Sequence, residues 1–189
     1  MAMCAATGVL AACGGSGAVP DRVSASAPER GVRPHGAVEN CSTRSEASFP
    51  GAFSDPRNVV VGPLVLVGAA YTAPGTVRQF GGDKFPALVR AGHRVTVALS
   101  RRTRRVAGLG YGPLPEGVEL RPRDGHRVVT FVACRRGRHS GSTADGEPVT
   151  FWSGFVLTAA PRCVPLEVWV DDDRAPRHTA LRMGVERCS

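Results

Sequence analysis

Apolar and polar positions alternate with a period of two along much of the chain, and the cleanest stretches set the fold class. Residues 93–99 place Val95, Val97 and Leu99 on one face. Residues 127–134 carry Val129, Phe131 and Ala133 on one face and Val128, Thr130, Val132 and Cys134 on the other, so both faces of that strand are expected to be buried. Leu166, Val168 and Val170 point one way, while Glu167, Trp169 and Asp171 point the other, which makes Trp169 the more exposed tryptophan. In residues 179–186, Leu181, Met183 and Val185 face inward and Arg182 and Glu186 outward.

Weaker runs fill the rest. Residues 59–67 are apolar on both faces but broken by Gly62 and Pro63, giving either one bent strand or two short ones, because Pro63 cannot donate to a ladder. Residues 85–89, 106–111, 118–120 and 149–158 continue the pattern, with Gly, Pro and Asp punctuation every ten residues or so. No convincing helical periodicity is present. Seven to nine short strands predict an all-β chain folded as a β-sandwich, for which an immunoglobulin-like arrangement is one form.

Residues 14–40 are rich in Gly, Ser, Ala, Pro and charge and lack apolar periodicity, so they bury too little surface to offset their ordering entropy. They predict a tether, with the sandwich domain spanning 41–189. A flexible coil of that length holds a domain on the order of 30 Å from its attachment point. Residues 1–12 are apolar and uncharged, and shorter than the roughly 20 residues of a membrane-spanning helix.

That apolar run ends in Leu10, Ala11, Ala12 and Cys13, followed by Gly14, Gly15, Ser16 and Gly17. The four residues resemble the lipobox of bacterial lipoproteins. The resemblance implies that residues 1–12 act as a signal peptide, that signal peptidase II cleaves before Cys13, and that residues 13–40 carry the lipidated cysteine and the tether. It also implies that the diacylglycerol on Cys13 sits in the outer leaflet of the cytoplasmic membrane. Signal peptides have a basic n-region, which residues 1–12 lack, so further leader sequence is expected upstream. Ala, Gly, Val, Pro and Arg dominate the composition, and Lys84 is the only lysine among 24 basic residues. In this the chain is similar to small lipoproteins of high-GC Gram-positive bacteria, a resemblance that brings no reaction, ligand or cofactor with it.

Cysteines stand at 4, 13, 41, 134, 163 and 188, with no C-x-x-C pair of the kind that binds zinc. Setting aside Cys4 and Cys13 leaves an even set suited to two disulfides in an oxidising compartment. Four cysteines allow three connectivities. Cys134 with Cys163 and Cys41 with Cys188 is the favoured pairing, stapling two strand ends and tying the domain's first residues to its last. If residues 149–158 simply run back along 127–134, the pairing becomes Cys163 with Cys188 and Cys41 with Cys134.

The formal charge of +8 raises the question of an acidic partner. Its arginines are dispersed among turns with few interleaved aromatics, which predicts no sequence-specific nucleic-acid binding. The densest donors lie in the long connection 135–148, where Arg135, Arg136, Arg138 and His139 with Ser140, Ser142 and Thr143 form a candidate anion-binding loop. The competing reading is a solvated loop, and the same holds for Arg101, Arg102, Arg104 and Arg105.

No two histidines have metal-ligand spacing, and Asp171, Asp172 and Asp173 suit a hairpin turn better than a calcium loop. Nucleophile-elbow, Ser-x-x-Lys and phosphate-loop motifs are missing. Phe151, Trp152 and Phe155 could stack on a sugar or base, but in a chain so poor in aromatics they fit the core better. The expectation is a membrane-tethered extracytoplasmic domain of non-catalytic binding or envelope-associated type, without cofactor or metal. Its partners would be the membrane, through the lipid, and a protein or anionic envelope ligand. The alternative is a secreted hydrolase using His139 or Ser140.

Overall fold

The computed structural model describes residues 33–114, 119–135 and 141–188, and the statements below concern those residues. They form thirteen strands: β1 (Ala37–Glu39), β2 (Val59–Val61), β3 (Leu64–Leu66), β4 (Gly82–Lys84), β5 (Ala87–Arg90), β6 (Arg94–Leu99), β7 (Ala107–Tyr111), β8 (Val128–Val132), β9 (Ser142–Ala144), β10 (Glu147–Trp152), β11 (Gly154–Thr158), β12 (Arg162–Val170) and β13 (Arg177–Met183). One short α-helix, α1 (Pro74–Phe80), lies between β3 and β4, and a 3-10 turn (Pro122–Asp124) precedes β8. The fold is therefore the all-β, sandwich-like one that the alternation predicts.

The strands are ordered β1-β8-β6-β12-β13 in one sheet, β2-β3-β5-β10-β9 in a second and β4-β11-β7 in a third. The second and third are a single antiparallel ladder bent in the middle. Ala87 on β5 faces Trp152 on β10, and three steps further Lys84 on β4 faces Phe155 on β11, with no slip in register. The bend falls at Pro86 and Ser153, where proline removes a ladder donor. Residues 149–158, read as one strand, are thus two segments that change sheet at Ser153. The strand orders also differ from the four-on-three sheets of an immunoglobulin constant domain, and β1 pairs with β8 in parallel.

Between the first sheet and the bent one lies the main core. Val95, Val97, Leu99, Val129, Phe131, Leu166 and Val168 meet Leu64, Leu66, Val89, Leu109, Tyr111, Trp152 and Val156. Its aromatic centre is Phe131, edge-on to Tyr111 at 5.0 Å and tilted against Trp152 at 5.2 Å. Tyr111 is fully buried, and its hydroxyl donates to the Phe85 carbonyl at 2.7 Å. Burial pushes its phenol far above the usual range. Gly154 is required beside it, since a Cβ there would stand 2.1 Å from the Tyr111 ring. The glycines that make residues 106–111 look weak as a strand serve the same end: a Cβ on Gly108 would meet the Pro122 carbonyl at 2.3 Å.

Two outer faces are also covered. Ala52, Val65, Leu88, Ala144 and Val149 cluster beneath Phe49, Phe53 and Phe151. Trp169, expected to be exposed, is buried with Ala98 and Val128. Alternation assigns the correct face to Trp169, but Ala98 on β6 and Val128 on β8 pack against the indole and bury it.

The domain begins earlier than the expected boundary at 41. Ala37–Glu39 already pairs with β8, and the Arg33 guanidinium donates to the Asp171 carbonyl. Trp152 Nε1 donates to the Asn40 carbonyl at 3.1 Å and contacts Thr43 Oγ1 at 3.2 Å, so the core reaches out to hold this incoming segment.

The disulfides join Cys41 to Cys134 and Cys163 to Cys188, which corrects the favoured pairing and matches the alternative. The reason is strand direction. Val132, just before Cys134, lies beside Arg94 at one end of β6, whereas Leu166, just after Cys163, lies beside Leu99 at the other end. A six-residue strand spans roughly 20 Å, beyond any disulfide. Cys163 instead faces the last strand, opposite Arg182, and the chain after β13 returns Cys188 to it. Two bridges of this kind fit an oxidising, extracytoplasmic compartment.

The bridges close loops of different size, with separations of 93 and 25 residues. Chain entropy alone makes the longer one worth about 4.6 kcal/mol and the shorter about 3.5 kcal/mol. Replacing Cys41 and Cys134 together by Ser is expected to lower the urea-unfolding free energy by more than the same change at Cys163 and Cys188. Non-reducing peptide mapping should recover a Cys163–Cys188 fragment, and a Cys134–Cys163 fragment would contradict the strand order above.

Candidate functional site

A groove of about 390 Å³ opens where α1 runs into β4, lined by Thr76, Phe80, Gly82, Asp83, Lys84, Leu120, Phe155 and Leu157. Local sequence builds it. Pro74 starts the helix where its missing N–H costs nothing, and Val77 anchors it in the core. Gly81 ends it in the left-handed region at φ 65°, returning its N–H to the Val77 carbonyl. Seven residues without an amphipathic repeat carry no periodic signal, which is why the helix escapes a pattern reading.

The last turn leaves Phe80 65% exposed, the most exposed large hydrophobic side chain among the described residues. Phe155, 37% exposed, borders the same space from β11. Gly82 allows β4 to lie close to β11, because a Cβ there would meet the Val156 carbonyl at 2.4 Å.

The polar groups of the groove are unequal. The Asp83 carboxylate is engaged, taking the Thr72 hydroxyl on Oδ2 at 2.9 Å and the Lys84 amide on Oδ1 at 2.8 Å. The Lys84 side chain forms no ion pair with any described residue. Thr76 likewise makes no side-chain hydrogen bond among them. The groove is thus an apolar trough with one available cation.

A second constellation lies at the β12–β13 turn. His93 Nδ1 is 2.7 Å from Asp171 Oδ2, the Arg94 amide donates to Oδ1 at 2.9 Å, and Arg33 bonds the Asp171 carbonyl. Burial by itself would raise the Asp171 pKa. The Arg94 amide, the His93 ring and the nearby charges of His93 and Arg33 outweigh it and hold the carboxyl below its usual range. A histidine oriented by a carboxylate is half of a hydrolytic triad. No described serine or cysteine hydrogen-bonds to His93; the pair ties the start of β6 to the turn as a clasp.

Of the anion-binding loop, Arg135 is exposed at the end of the described chain, while Arg136, Arg138, His139 and Ser140 lie outside the described residues, as does Cys13. Ser142 and Thr143 form part of β9. In the 101–105 turn, Arg101, Arg102 and Arg105 are exposed, whereas Arg104 is tied to the Leu99 carbonyl. The aromatic trio is divided: Trp152 is core, Phe151 packs edge-on to Phe49 at 4.9 Å, and Phe155 faces the groove. Among the described residues no group of three or more His, Cys, Asp or Glu could hold a metal, and no helix is long and apolar enough to cross a membrane.

Sequence reasoning did not identify the groove. Its one visible signal was the solitary Lys84 in an arginine-dominated chain. No family model, curated protein or solved structure matches this chain.

The Asp171 clasp gives a pH test. Its lowered pKa means that its contribution to stability is complete above the unfolded carboxyl value of about 3.9 and is lost as pH falls through the folded value. Asp171→Asn, which keeps the shape and tolerates the positive φ of 45°, is expected to be less stable than wild type at pH 7. The difference should shrink below about pH 4. Urea unfolding of both proteins at pH 7 and pH 3 measures it.

Proposed function

We propose that the chain is an extracytoplasmic binding domain without catalytic chemistry, held on the outer face of the cytoplasmic membrane by a lipid on Cys13. The observation that carries this reading is the groove. It offers an apolar trough and one available cation, with its only carboxylate already engaged, which suits holding a ligand better than transforming one. The two disulfides, the lipobox at Leu10–Cys13 and the short distance in sequence between Cys13 and the first strand support the placement outside the membrane.

The anchor is tested in a host that processes lipoproteins. Wild-type protein is expected to enter the detergent phase on phase separation, and Cys13→Ala to be released to the medium. Lipoprotein modification supplies more than one chain, and each buried methylene adds roughly 0.8 kcal/mol, so the contrast should be large. Wild-type protein wholly in the aqueous phase would refute the anchor. Incubation with chromogenic esters, peptides and glycosides should stay at blank, and turnover abolished by His93→Ala or Ser140→Ala would establish a hydrolase instead.

The surplus of arginine is not read as a nucleic-acid surface. Several guanidinium groups are committed to backbone carbonyls: Arg127 to Ala107 and Pro122, Arg182 to Ala70 and Glu186, and Arg104 to Leu99. DNA binding measured by fluorescence anisotropy is expected to be weak, salt-sensitive and indifferent to sequence. Tight, sequence-dependent binding at 0.2 M salt (roughly physiological strength) would overturn that.

A further inference from the structure

Deepening the reading of the chain as a binding domain, and resting on it, we propose that the α1–β4 groove takes a single-chain acidic amphiphile: an apolar tail bearing one carboxylate. The tail lies against Phe80, Phe155, Leu120 and Leu157, and the carboxylate meets Lys84.

Size comes first. At about 390 Å³ the space falls at the small end of ligand sites, which run from roughly 300 to 1,000 Å³. It accommodates one tail rather than the paired chains of a membrane lipid. Phe80 and Phe155 face it from the helix and the sheet while still largely or partly open to water, and a hydrocarbon chain between them would remove apolar surface on both sides.

Charge selects the head group. Lys84 is the only cation on the lining, it is unpaired among the described residues, and it is the one lysine in a chain of arginines. A lysine ammonium is a compact point charge on a flexible stem, whereas arginine offers the fork that grips phosphate. A phosphate monoester carries close to two negative charges at neutral pH. Here it would meet a single ammonium and lie near the Asp83 carboxylate. A carboxylate balances Lys84 one for one, and the Thr76 hydroxyl is a further donor on the same lining. Asp83 keeps its charge, which penalises a dianion more than a monoanion, while its oxygens are already taken by Thr72 and the Lys84 amide. A cationic head would have to compete with both for that carboxylate.

The test uses the full chain carrying Cys13→Ala, so that no lipid of its own competes. Decanoate, decanol, decyl phosphate and decyltrimethylammonium share one tail and differ in head group, and each is titrated by calorimetry. Amide chemical shifts report where it binds. Decanoate is expected to bind at least tenfold more tightly than the trimethylammonium and more tightly than the phosphate, shifting the Lys84 and Phe155 amides. Lys84→Met should weaken decanoate at least tenfold and leave decanol unchanged, whereas Phe80→Ser should weaken both. Both side chains are exposed, and an unchanged melting temperature verifies that each variant is folded.

Equal affinity for anionic and cationic heads, or decanoate binding indifferent to Lys84→Met, would overturn the head-group assignment. Tighter binding of decyl phosphate would replace the carboxylate with a phosphate. If no decyl compound binds, the proposed ligand is wrong even where anchoring through Cys13 and blank turnover still hold. Hydrolysis of decanoyl esters would instead defeat the non-catalytic reading itself.

Discussion

The unbroken register that runs through the bend at Pro86 and Ser153 is the constraint on which the rest of the molecule depends. Because Ala87–Trp152 and Lys84–Phe155 belong to the same ladder, the second and third sheets form one continuous layer. One arm of that layer supplies Leu64, Val89 and Trp152 to the core, and the other supplies Leu109, Tyr111 and Val156. Bending a ladder costs hydrogen bonds unless the residues at the corner can do without them or find others. Pro86 has no N–H to lose, its carbonyl accepts from Val67, and the Phe85 amide still reaches the Gly154 carbonyl. The break in the ladder thus keeps the hydrogen bonds on either side of the proline.

The same accounting explains the arginines. A fold of short strands joined by Gly- and Pro-rich loops presents many carbonyls that no neighbouring strand can satisfy. A guanidinium brings five donors on a long stem whose methylenes tolerate burial. Arg127 spans the Ala107 and Pro122 carbonyls, and Arg182 spans those of Ala70 and Glu186. Part of the positive charge that looks in the sequence like a signal for an acidic partner is thus committed to the chain's own loops. Lys84 has no such task, and among the residues lining the groove it is the one cation.

Period-two alternation was legible wherever a strand spans the sandwich, and so the all-β class and the inward faces of β6, β12 and β13 could be read directly. What alternation does not encode is which strand lies beside which. The disulfide pairing went astray there: the favoured pairing placed the ends of two strands together, whereas Cys134 and Cys163 lie toward opposite ends of β6. Their separation becomes plain only once β8 and β12 are placed on either side of β6. Trp169 illustrates a second limit: side-chain direction was correct, but burial depended on Ala98 and Val128 from other strands. The groove was invisible for a third reason, since it is made by a seven-residue helix, a glycine that permits close approach and side chains from three separate segments.

How the groove keeps its shape follows from the strand it shares with the core. Trp152 and Phe155 are three residues apart, roughly 10 Å along a continuous ladder. Trp152 is fixed by Phe131 on one side and by the Asn40–Thr43 segment beside the Cys41–Cys134 bridge on the other. That sets the path of β11, which passes close to the Tyr111 ring at Gly154, where a Cβ would not fit. On the facing strand, Asp83 uses its carboxylate to cap the Lys84 amide, satisfying a strand-edge donor that another chain could otherwise pair with. The edge is thereby blunted toward strand addition while the side-chain trough beside it stays open. A rigid wall and a blocked backbone together favour a small ligand recognised by side chains over an extended peptide recognised by main-chain hydrogen bonds.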